Sequence, residues 1–374
     1  MTVPAVEKLS RWQLFVVMVT FELGSALVVG VGNDSRKDAW LALIIGAIAG
    51  LPLIWMVSWM LRLYPGQTIY SILKITLGKW IGNLLVIGYV IYFLYLAAYV
   101  MRDFIAMMNA AVLPRTPAGI IGFTLMSVVA YIVYLGIETI GRMAEIFAPY
   151  MLLFTVAIVL LCLMSGEINL HNLLPVLGDG WHPIIKDVFP AVLGFPIGEM
   201  PLILMVLMAY IKRVDKGLGV GMAALGTGTF LLIISIVLQI SVLTADGKAR
   251  ASFPLLNVAR LISTAEFLER IEPLVVFLMM LGILLKISVF TILGVQGLEA
   301  VVQVPYRHFS FPISMIVAFI AIVHAKSFTD HIIKGTRMLP TYFHMPFQVY
   351  IPAVLFIILL IKHRPTKGKV GEGT

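Results

Sequence analysis

Long apolar runs, separated by short polar segments, make up most of the sequence. Ten of these runs approach the ~20 residues that a helix needs to cross a bilayer core of ~30 Å. The pattern therefore predicts an all-α membrane protein, with ten transmembrane helices in a single transmembrane domain over residues 1–374. The predicted spans are 13–32, 40–61, 82–108, 118–137, 144–165, 184–210, 218–243, 273–302, 311–325 and 342–361.

Two of the ten runs are interrupted by residues that weaken a helix. The interruption is G-S-A-L-V-V-G-V-G at 24–32 in the first run and G-F-P-I-G-E-M-P at 194–201 in the sixth. Lipid cannot satisfy free backbone groups, so a helix broken at membrane depth must face protein or a cavity. We therefore predict that helices 1 and 6 are broken. The alternative is that these glycines and prolines only allow close helix packing.

The two interruptions occupy matching places in two halves of the chain. Each lies in the first span of a group of five, and an odd number of spans inverts the second group in the membrane. This arrangement predicts a 5+5 inverted repeat, with repeat one at about 13–165 and repeat two at about 184–361. Paired broken helices in such a repeat indicate a solute site between them.

The solute predicted for this site is a small amino acid. A half-helix N-terminus offers N–H groups to a carboxylate, and unwound carbonyls accept hydrogen bonds from an ammonium group. We expect Ser25 and nearby amides to hold the carboxylate, and the backbone around Gly194 and Phe195 to hold the ammonium group. The predicted ligand-binding residues are Gly24, Ser25, Ala26, Gly30, Tyr95, Tyr99, Gly194, Phe195, Pro196, Gly198 and Glu199.

Three ionisable residues lie well inside predicted spans, namely Glu22, Glu199 and Lys286. A charge at the bilayer centre is costly, so these side chains must face the protein interior, where pairing is favoured. We expect Lys286 to lie near the break in the first span, where its ammonium takes the place of a bound cation, with Glu199 as its counter-charge. The three residues are the candidates for ion or proton coupling. The alternative is a static ion pair that only fixes packing.

A tyrosine stripe and two amphipathic segments each allow two interpretations. Tyr92, Tyr95 and Tyr99 share one side of the third span and either line the cavity or pack against other helices. Residues 254–272 form an outer amphipathic helix that either caps the bundle or acts as a lid, and 67–79 form a weaker inner one.

Composition and charge exclude several other classes of protein. Hydrophobic residues make up 60% of the 374 positions and charged residues 12%, which leaves no soluble domain of any size. The net charge of +8 comes from short loops and the C-terminal end, which is typical of membrane topology and predicts no nucleic-acid partner. The same distribution favours cytoplasmic N- and C-termini. The N-terminal run has no cleavage pattern of a signal peptide.

Motifs for catalysis and cofactors are missing from the sequence. The single cysteine, Cys162, lies inside a span and forms no intrachain disulfide. The seven histidines have no metal-ligand spacing, and no nucleotide-binding loop or nucleophile motif is present. We therefore predict a protein that is not an enzyme and that has no cofactor and no metal.

The interrupted spans resemble those of the amino acid–polyamine–organocation superfamily, whose members have a LeuT-like fold. Such transporters often show G-S-G in the first span and F-x-G-x-E in the sixth. In this chain Ala26 replaces the last glycine, and Gly198 and Glu199 are adjacent. Backbone contacts carried over from the superfamily therefore shift by about one position.

Within the superfamily the whole chain resembles the B subunits of bacterial spore germinant receptors, the germination permeases. The motifs that carry this resemblance, in order, are D-A-W at 38–40, Y-P-G-Q-T at 64–68, L-G-K at 77–79, L-P-R-T-P at 113–117 and G-I-E-T-I-G-R at 136–142. The resemblance implies a multi-pass protein of the spore inner membrane. It would sense a nutrient, usually an amino acid, together with a membrane A subunit and a lipoprotein C subunit.

The functional hypothesis is thus a receptor subunit that binds a small amino acid at the breaks in helices 1 and 6 and signals to its partner subunits to trigger germination. The first alternative is a proton-coupled amino acid transporter, which the Lys286 and Glu199 pair fits equally well. The second is a structural scaffold, against which the broken helices argue.

Overall fold

The computed structural model describes residues 8–261, 272–324 and 327–363. These residues are almost entirely helical, with one isolated bridge between Leu9 and Ile211. The α-helices are α1 Arg11–Val29, α2 Ala39–Leu63, α3 Ile69–Leu77, α4 Lys79–Ala111, α5 Ala118–Leu135, α6 Ile137–Ser165, α7 Trp181–Asp187, α8 Glu199–Leu207, α9 Gly217–Arg250, α10 Pro254–Leu261, α11 Glu272–Val302, α12 Ser310–Val323, α13 Phe328–Ile333 and α14 Ile351–Lys362.

Three segments have wider helical turns than an α-helix. Val188–Ile197 joins α7 to α8, while Lys334–Met338 and Pro340–Tyr350 lead from α13 into α14. Turns of this kind are rare and occur frequently at functional sites. Short 3₁₀ turns connect other helices at Arg36–Asp38, Leu170–Leu173, Met208–Tyr210, Val214–Lys216 and Tyr306–His308.

Ten apolar helical stretches correspond in order to the ten predicted spans. Nine of those in the described part of the chain are long and apolar enough to cross a membrane, and α12 is a tenth that is apolar but only 14 residues long. The last span differs most from its prediction, because helical structure begins at Phe328 and not near residue 342. The protein is therefore a multi-pass membrane protein.

The centre of the bundle consists of α1, the Trp181–Tyr210 stretch and α11. In the 18-residue apolar stretch of each, the share of residues buried inside the protein is 78%, 89% and 83%, whereas the share in α6 is 17%. Helix α1 packs against α9, α11 and α6, and α11 also packs against α4. The two predicted interrupted spans thus lie in the core, where protein can satisfy their free backbone groups.

The interruption of the sixth span is confirmed. Phe195 has φ −145° and ψ 122°, which is extended backbone inside an otherwise helical stretch. Phe189, with φ −122° and ψ 117°, is a second non-helical residue one turn and a half earlier. Helix α8 then begins at Glu199, so the predicted interval 194–201 contains the break.

The interruption of the first span lies in the last part of the predicted interval 24–32. Residues 24–29 belong to the continuous helix α1, and the chain becomes non-helical at Gly30, with φ 73° and ψ 164°. A positive φ of this size favours glycine. Gly24 has a different role, because a Cβ atom on it would lie 3.0 Å from the Gly282 carbonyl oxygen. The predicted interval 24–32 thus contains the end of α1, its first six residues are helical, and close packing against α11 explains Gly24.

Both amphipathic segments contain helices. The inner one is α3, which lies between α2 and α4. The outer one begins with α10, whose buried residues pack against α9, α11 and the end of α1. Positions 262–271 of the predicted outer helix lie outside the described residues, so the choice between a cap and a lid stays a prediction.

Candidate functional site

A cavity lies between α1, α4, the broken sixth span and the segment that leads into α14. Its volume is about 620 Å³ when the open space at its mouth is included. Its lining is mixed, with two acids, four other polar or ionisable groups and an apolar remainder. The lining residues are Ser25, Val29, Gly30, Asn33, Leu96, Tyr99, Val100, Asp103, Phe195, Glu199, Ile332, Gly335, Leu339 and His344.

Five of the predicted ligand-binding residues line this cavity: Ser25, Gly30, Tyr99, Phe195 and Glu199. They come from α1, α4 and the two sides of the sixth-span break. The fold therefore brings together residues up to 174 positions apart in sequence, as the prediction of paired interrupted spans required.

The other predicted residues lie beside the cavity wall and contact other parts of the protein. A Cβ on Gly194 would lie 3.0 Å from His344 Cβ, and one on Gly198 would overlap the Gln348 side chain. Tyr95 is half-buried and stacks on Phe343 at 5.6 Å between ring centroids. The remaining ones, Gly24, Ala26 and Pro196, are buried in helix packing and do not line the cavity.

Ser25 contributes a hydroxyl group to the cavity. Its Oγ atom is buried and has no hydrogen-bond partner among the described residues. The amides around it belong to the continuous helix α1 and bond within that helix. The hydroxyl is therefore the group that Ser25 offers, and the expectation that nearby amides hold a carboxylate stays a prediction. Non-helical backbone is found further along, at Gly30 and Asn33.

Glu199 and Lys286 form a buried ion pair. Lys286 Nζ lies 2.5 Å from Glu199 Oε2, and the two side chains are 0% and 3% exposed. The ammonium also lies 4.7 Å from the centroid of the Phe21 ring and 4.8 Å from that of Phe195. The expected pairing is present, and Lys286 contacts α1 at Gly24, several residues before the helix ends. Its role in coupling stays a prediction.

Glu22 lies on a different face of α1. Its Oε1 accepts a hydrogen bond of 2.9 Å from Thr229 Oγ1 on α9, and a Cβ on Gly228 would overlap its Oε2. Glu22 does not line the cavity. Glu22 therefore bonds to Thr229 and does not join the ion pair of Glu199 and Lys286. Its coupling role stays a prediction.

An acid–histidine pair at the cavity was missed by the sequence analysis. Asp103 Oδ1 lies 2.8 Å from His331 Nε2, and both side chains are buried. The Tyr99 hydroxyl donates to the His331 carbonyl oxygen at 2.8 Å, and the two rings stack at 3.9 Å. The available signal was an acid near the end of the third apolar run, four residues after Tyr99 and so on the same helix face.

A second missed cluster joins α4 to the last span. The Tyr92 hydroxyl lies 2.5 Å from His344 Nδ1, and Gln348 Nε2 lies 2.9 Å from the same hydroxyl oxygen. The three tyrosines of the stripe therefore have different surroundings. Tyr99 lines the cavity, whereas Tyr92 bonds to His344 and Tyr95 stacks on Phe343. Among the described residues no three acid, histidine or cysteine side chains are grouped as metal ligands.

A comparison with solved structures shows the class of fold. The crystal structure of MhsT in complex with L-phenylalanine superposes with a TM-score of 0.66 and 16% sequence identity, over 95% of this chain and 89% of that one. The fold is therefore the LeuT-like membrane fold of ten helices. The germination motifs of the sequence and the cavity at the broken sixth span are thus carried on a transporter-like scaffold.

Comparisons of sequence place the chain in a family. The family model described as spore germination protein matches residues 8–329, and the chain belongs to this spore permease family. Spore germination protein KB of Bacillus subtilis (strain 168) is 31% identical over 366 residues, which are 98% of each protein. Spore germination protein YndE of the same organism is 25% identical over 364 residues, which are 95% of this chain and 96% of the relative.

Proposed function

We propose that this protein is a subunit of a nutrient germinant receptor that binds a small amino acid in the cavity and signals to partner subunits to trigger spore germination. The observation that carries the proposal is the cavity at the break around Phe195, closed by α1, α4 and the last span. Relatives of this protein are named for spore germination, and the structure of MhsT, which has a similar fold, was solved in complex with L-phenylalanine. We further propose the spore inner membrane, cytoplasmic termini and no enzymatic activity.

The chemistry of the lining supports an amino acid as ligand. Glu199 and Asp103 supply carboxylates to the cavity, and one oxygen of each is already bonded, to Lys286 and to His331 respectively. The carboxylate oxygens that these two bonds do not use can accept hydrogen bonds from the ammonium group of a ligand. The Ser25 hydroxyl and the non-helical backbone at Gly30 are the groups that suit the carboxylate of the ligand. Apolar residues, among them Leu96, suit a small aliphatic side chain.

Signalling requires that the ligand favours one conformation of the protein over another. A ligand with equal affinity for two states shifts nothing, so the cavity must differ between them. The segment that lines the cavity through Gly335 and Leu339 has widened turns, and it packs so closely on α4 that a Cβ atom on Gly335 would overlap the Tyr99 side chain. We propose that a change in this segment is passed to the A and C subunits of the receptor.

Thermal unfolding of the purified full-length chain in lipid nanodiscs tests the proposal. Each of the twenty natural amino acids is added at millimolar concentration. A ligand at 100 times its Kd should stabilise the protein by about 2.7 kcal/mol. The Asp103→Asn variant, which keeps the size of the side chain, should weaken that stabilisation, whereas an exposed control on the same helix, Lys79→Met, should not. No stabilisation by any amino acid contradicts the proposal.

A proton-coupled amino acid transporter is the second candidate, and the Lys286 and Glu199 pair is the observation that favours it. A buried carboxylate next to the ligand cavity is suited to a change of protonation during transport. Uptake of labelled amino acid into proteoliposomes that contain only this chain decides between the two. Sustained flux driven by a pH gradient supports the transporter, whereas saturable binding without flux supports the receptor.

A further inference from the structure

A second buried lysine, Lys248, contacts the wall of the cavity from outside. Its side chain is 1% exposed. Its ammonium donates hydrogen bonds of 2.7 Å to the Val31 carbonyl oxygen and of 2.7 Å to Asn33 Oδ1. Both acceptors belong to the non-helical chain that follows α1, and Asn33 itself lines the cavity. A buried ammonium therefore holds the very backbone that forms one side of the proposed ligand site.

The position of Lys248 depends on a kink in α9. Thr244 interrupts that helix with φ 65° and ψ 165°. A positive φ is a genuine outlier for a β-branched residue, and such outliers persist only where the surrounding structure holds them. The Thr244 Oγ1 atom accepts from Gly247 N at 3.2 Å and so caps the short helical piece that carries Lys248.

The Ser241 carbonyl group, next to this kink, accepts hydrogen bonds from outside α9. The Ser241 oxygen accepts a hydrogen bond from Asn169 N at 3.1 Å and another from Asn172 Nδ2 at 2.9 Å. The Ser241 carbonyl oxygen at the kink is thus paired. The kink turns the last piece of α9 so that Lys248 reaches the end of α1.

The rest of the segment after α1 is held by carboxylates. Asp187 Oδ2 accepts from Ser35 N at 2.8 Å and from Ser35 Oγ at 2.7 Å. Asp187 is also the acid that attracts Lys248 electrostatically. Asp38, at the end of the segment, accepts from Leu177 N at 3.1 Å. The chain from Gly30 to Asp38 therefore has one cationic contact at its start and anionic contacts after it.

Carbonyl and amide oxygens at a discontinuous membrane helix are the usual ligands of a bound cation. Here the positive charge that faces them is covalently attached. We propose that Lys248 is a positioning residue of the ligand site: its ammonium fixes the backbone of residues 30–33 and supplies the charge that an inorganic cation would otherwise contribute. The inference rests on the proposed function as far as the ligand is concerned, whereas the ordering of residues 30–33 can be measured without one.

Two consequences follow for this protein. Removal of the ammonium frees the Val31 oxygen and the Asn33 side chain, so residues 30–33 lose their fixed arrangement while the rest of the bundle stays folded. Ligand binding needs no added sodium, because the lysine already provides the cation.

Hydrogen–deuterium exchange of the full-length chain in nanodiscs, without ligand, tests the first consequence. In Lys248→Met the amides of residues 30–35 should exchange about tenfold faster or more, as expected for the loss of charged hydrogen bonds. Exchange in α4 and α11 should change much less at labelling times that are short compared with unfolding of the whole bundle. Lys248→Arg, which keeps the charge, and Lys216→Met, at the exposed opposite end of α9, should behave like the wild type. Wild-type exchange in Lys248→Met, or an equal rise throughout the bundle, overturns the inference.

Chemical rescue separates charge from packing. Lys248→Ala leaves space in which methylammonium can replace the missing ammonium. Added methylammonium chloride should return the exchange of residues 30–35 towards that of the wild type, whereas methanol, of similar size and without charge, should not. Equal rescue by methanol would show that filling the space is sufficient and would overturn the inference.

The ligand gives an independent readout. For any amino acid that stabilises the wild-type chain, the affinity should be the same in sodium chloride and choline chloride and should fall about tenfold or more in Lys248→Met. A requirement for sodium in the wild type contradicts the inference. If no natural amino acid stabilises the wild type, the proposed function fails, and the exchange and rescue experiments still decide the role of Lys248.

Discussion

Two buried lysines contact the first part of the chain, Lys286 at α1 and Lys248 at the residues just after α1, and the protein stabilises their charges in different ways. Lys286 pairs with the carboxylate of Glu199 and lies between aromatic rings in the core. Lys248 binds neutral oxygens of Val31 and Asn33 where α1 has ended. Lys286 thus shows how an ion pair stabilises a buried charge among packed side chains. Lys248 shows how an ammonium group that donates to neutral oxygens can fix the position of a non-helical backbone.

The largest expected effect comes from removal of one half of the ion pair. Glu199→Gln leaves Lys286 buried without its carboxylate, which should cost about 3–5 kcal/mol of the free energy of unfolding. The double variant Glu199→Gln, Lys286→Met removes both charges and should recover much of that loss. Denaturant titration in detergent micelles measures both variants. If the single and double variants are equally unstable, the charge pairing is not the reason for the loss.

The second effect concerns the other lysine and should be smaller. Lys248→Met removes hydrogen bonds from a charged donor to neutral oxygens, which is expected to lower the free energy of unfolding by about 1.5–3 kcal/mol. The same titration gives the value, with Lys216→Met as an exposed control at the residue just before the same helix. A loss larger than that of Glu199→Gln would reverse the ranking of the two lysines.

A third test concerns Ser25, which lies in α1 between the residues that the two lysines contact. Ser25→Ala removes a hydroxyl that lines the cavity and has no partner among the described residues, so stability should not change. The free energy of binding of a stabilising amino acid should become less favourable by about 0.5–1.5 kcal/mol, which is the usual contribution of one hydrogen bond. Thr20→Ala is the matched control, since Thr20 Oγ1 donates at 2.6 Å to Val16 O within α1. Equal losses of affinity in both variants would remove Ser25 from the site.

The smallest effect involves a base that the protein keeps neutral. Burial lowers the pKa of His324 below its ordinary value, and His331, Lys334 and Arg102 lower it further, while Asp330 raises it. Between the folded and unfolded pKa values the unfolded chain binds more protons, so stability falls as the pH drops through about 6.5.

Unfolding at pH 7 and pH 5 checks this expectation. The wild type should be less stable at pH 5, and His324→Asn should lose less stability over the same interval. The difference should be small because the ring is only partly covered. An unchanged pH dependence in His324→Asn would show that another group accounts for the titration.

The residues that could be predicted share a simple local signal. Lys286 and Glu199 are charges in the middle of apolar runs, and Phe195 lies in a cluster of glycine and proline. Such features have few satisfactory places in a membrane, so their burial and pairing follow from their cost in lipid. Membership of the germination family also followed from short motifs in a fixed order.

The residues that were missed lie where the apolar pattern weakens. Asp103 and Lys248 are near the ends of runs, where a charge can equally face water. His331 belongs to a segment that was interpreted as a connection between the last two spans, although it begins the final helical stretch. No local rule distinguishes a charge at a span end that faces solvent from one that turns inward.

The sequence by itself determined that this chain forms ten apolar helices in a membrane, with a break in the sixth and with internal charges that must be paired. Only the tertiary structure decided where α1 ends, which glycines serve packing and which oxygens Lys248 binds. The physical reason is that a hydrophobic run sets the environment of a helix from its own residues. The hydrogen bond between Lys248 and Val31 instead depends on how α9 is placed against the non-helical chain after α1, since the two residues are 217 positions apart in sequence.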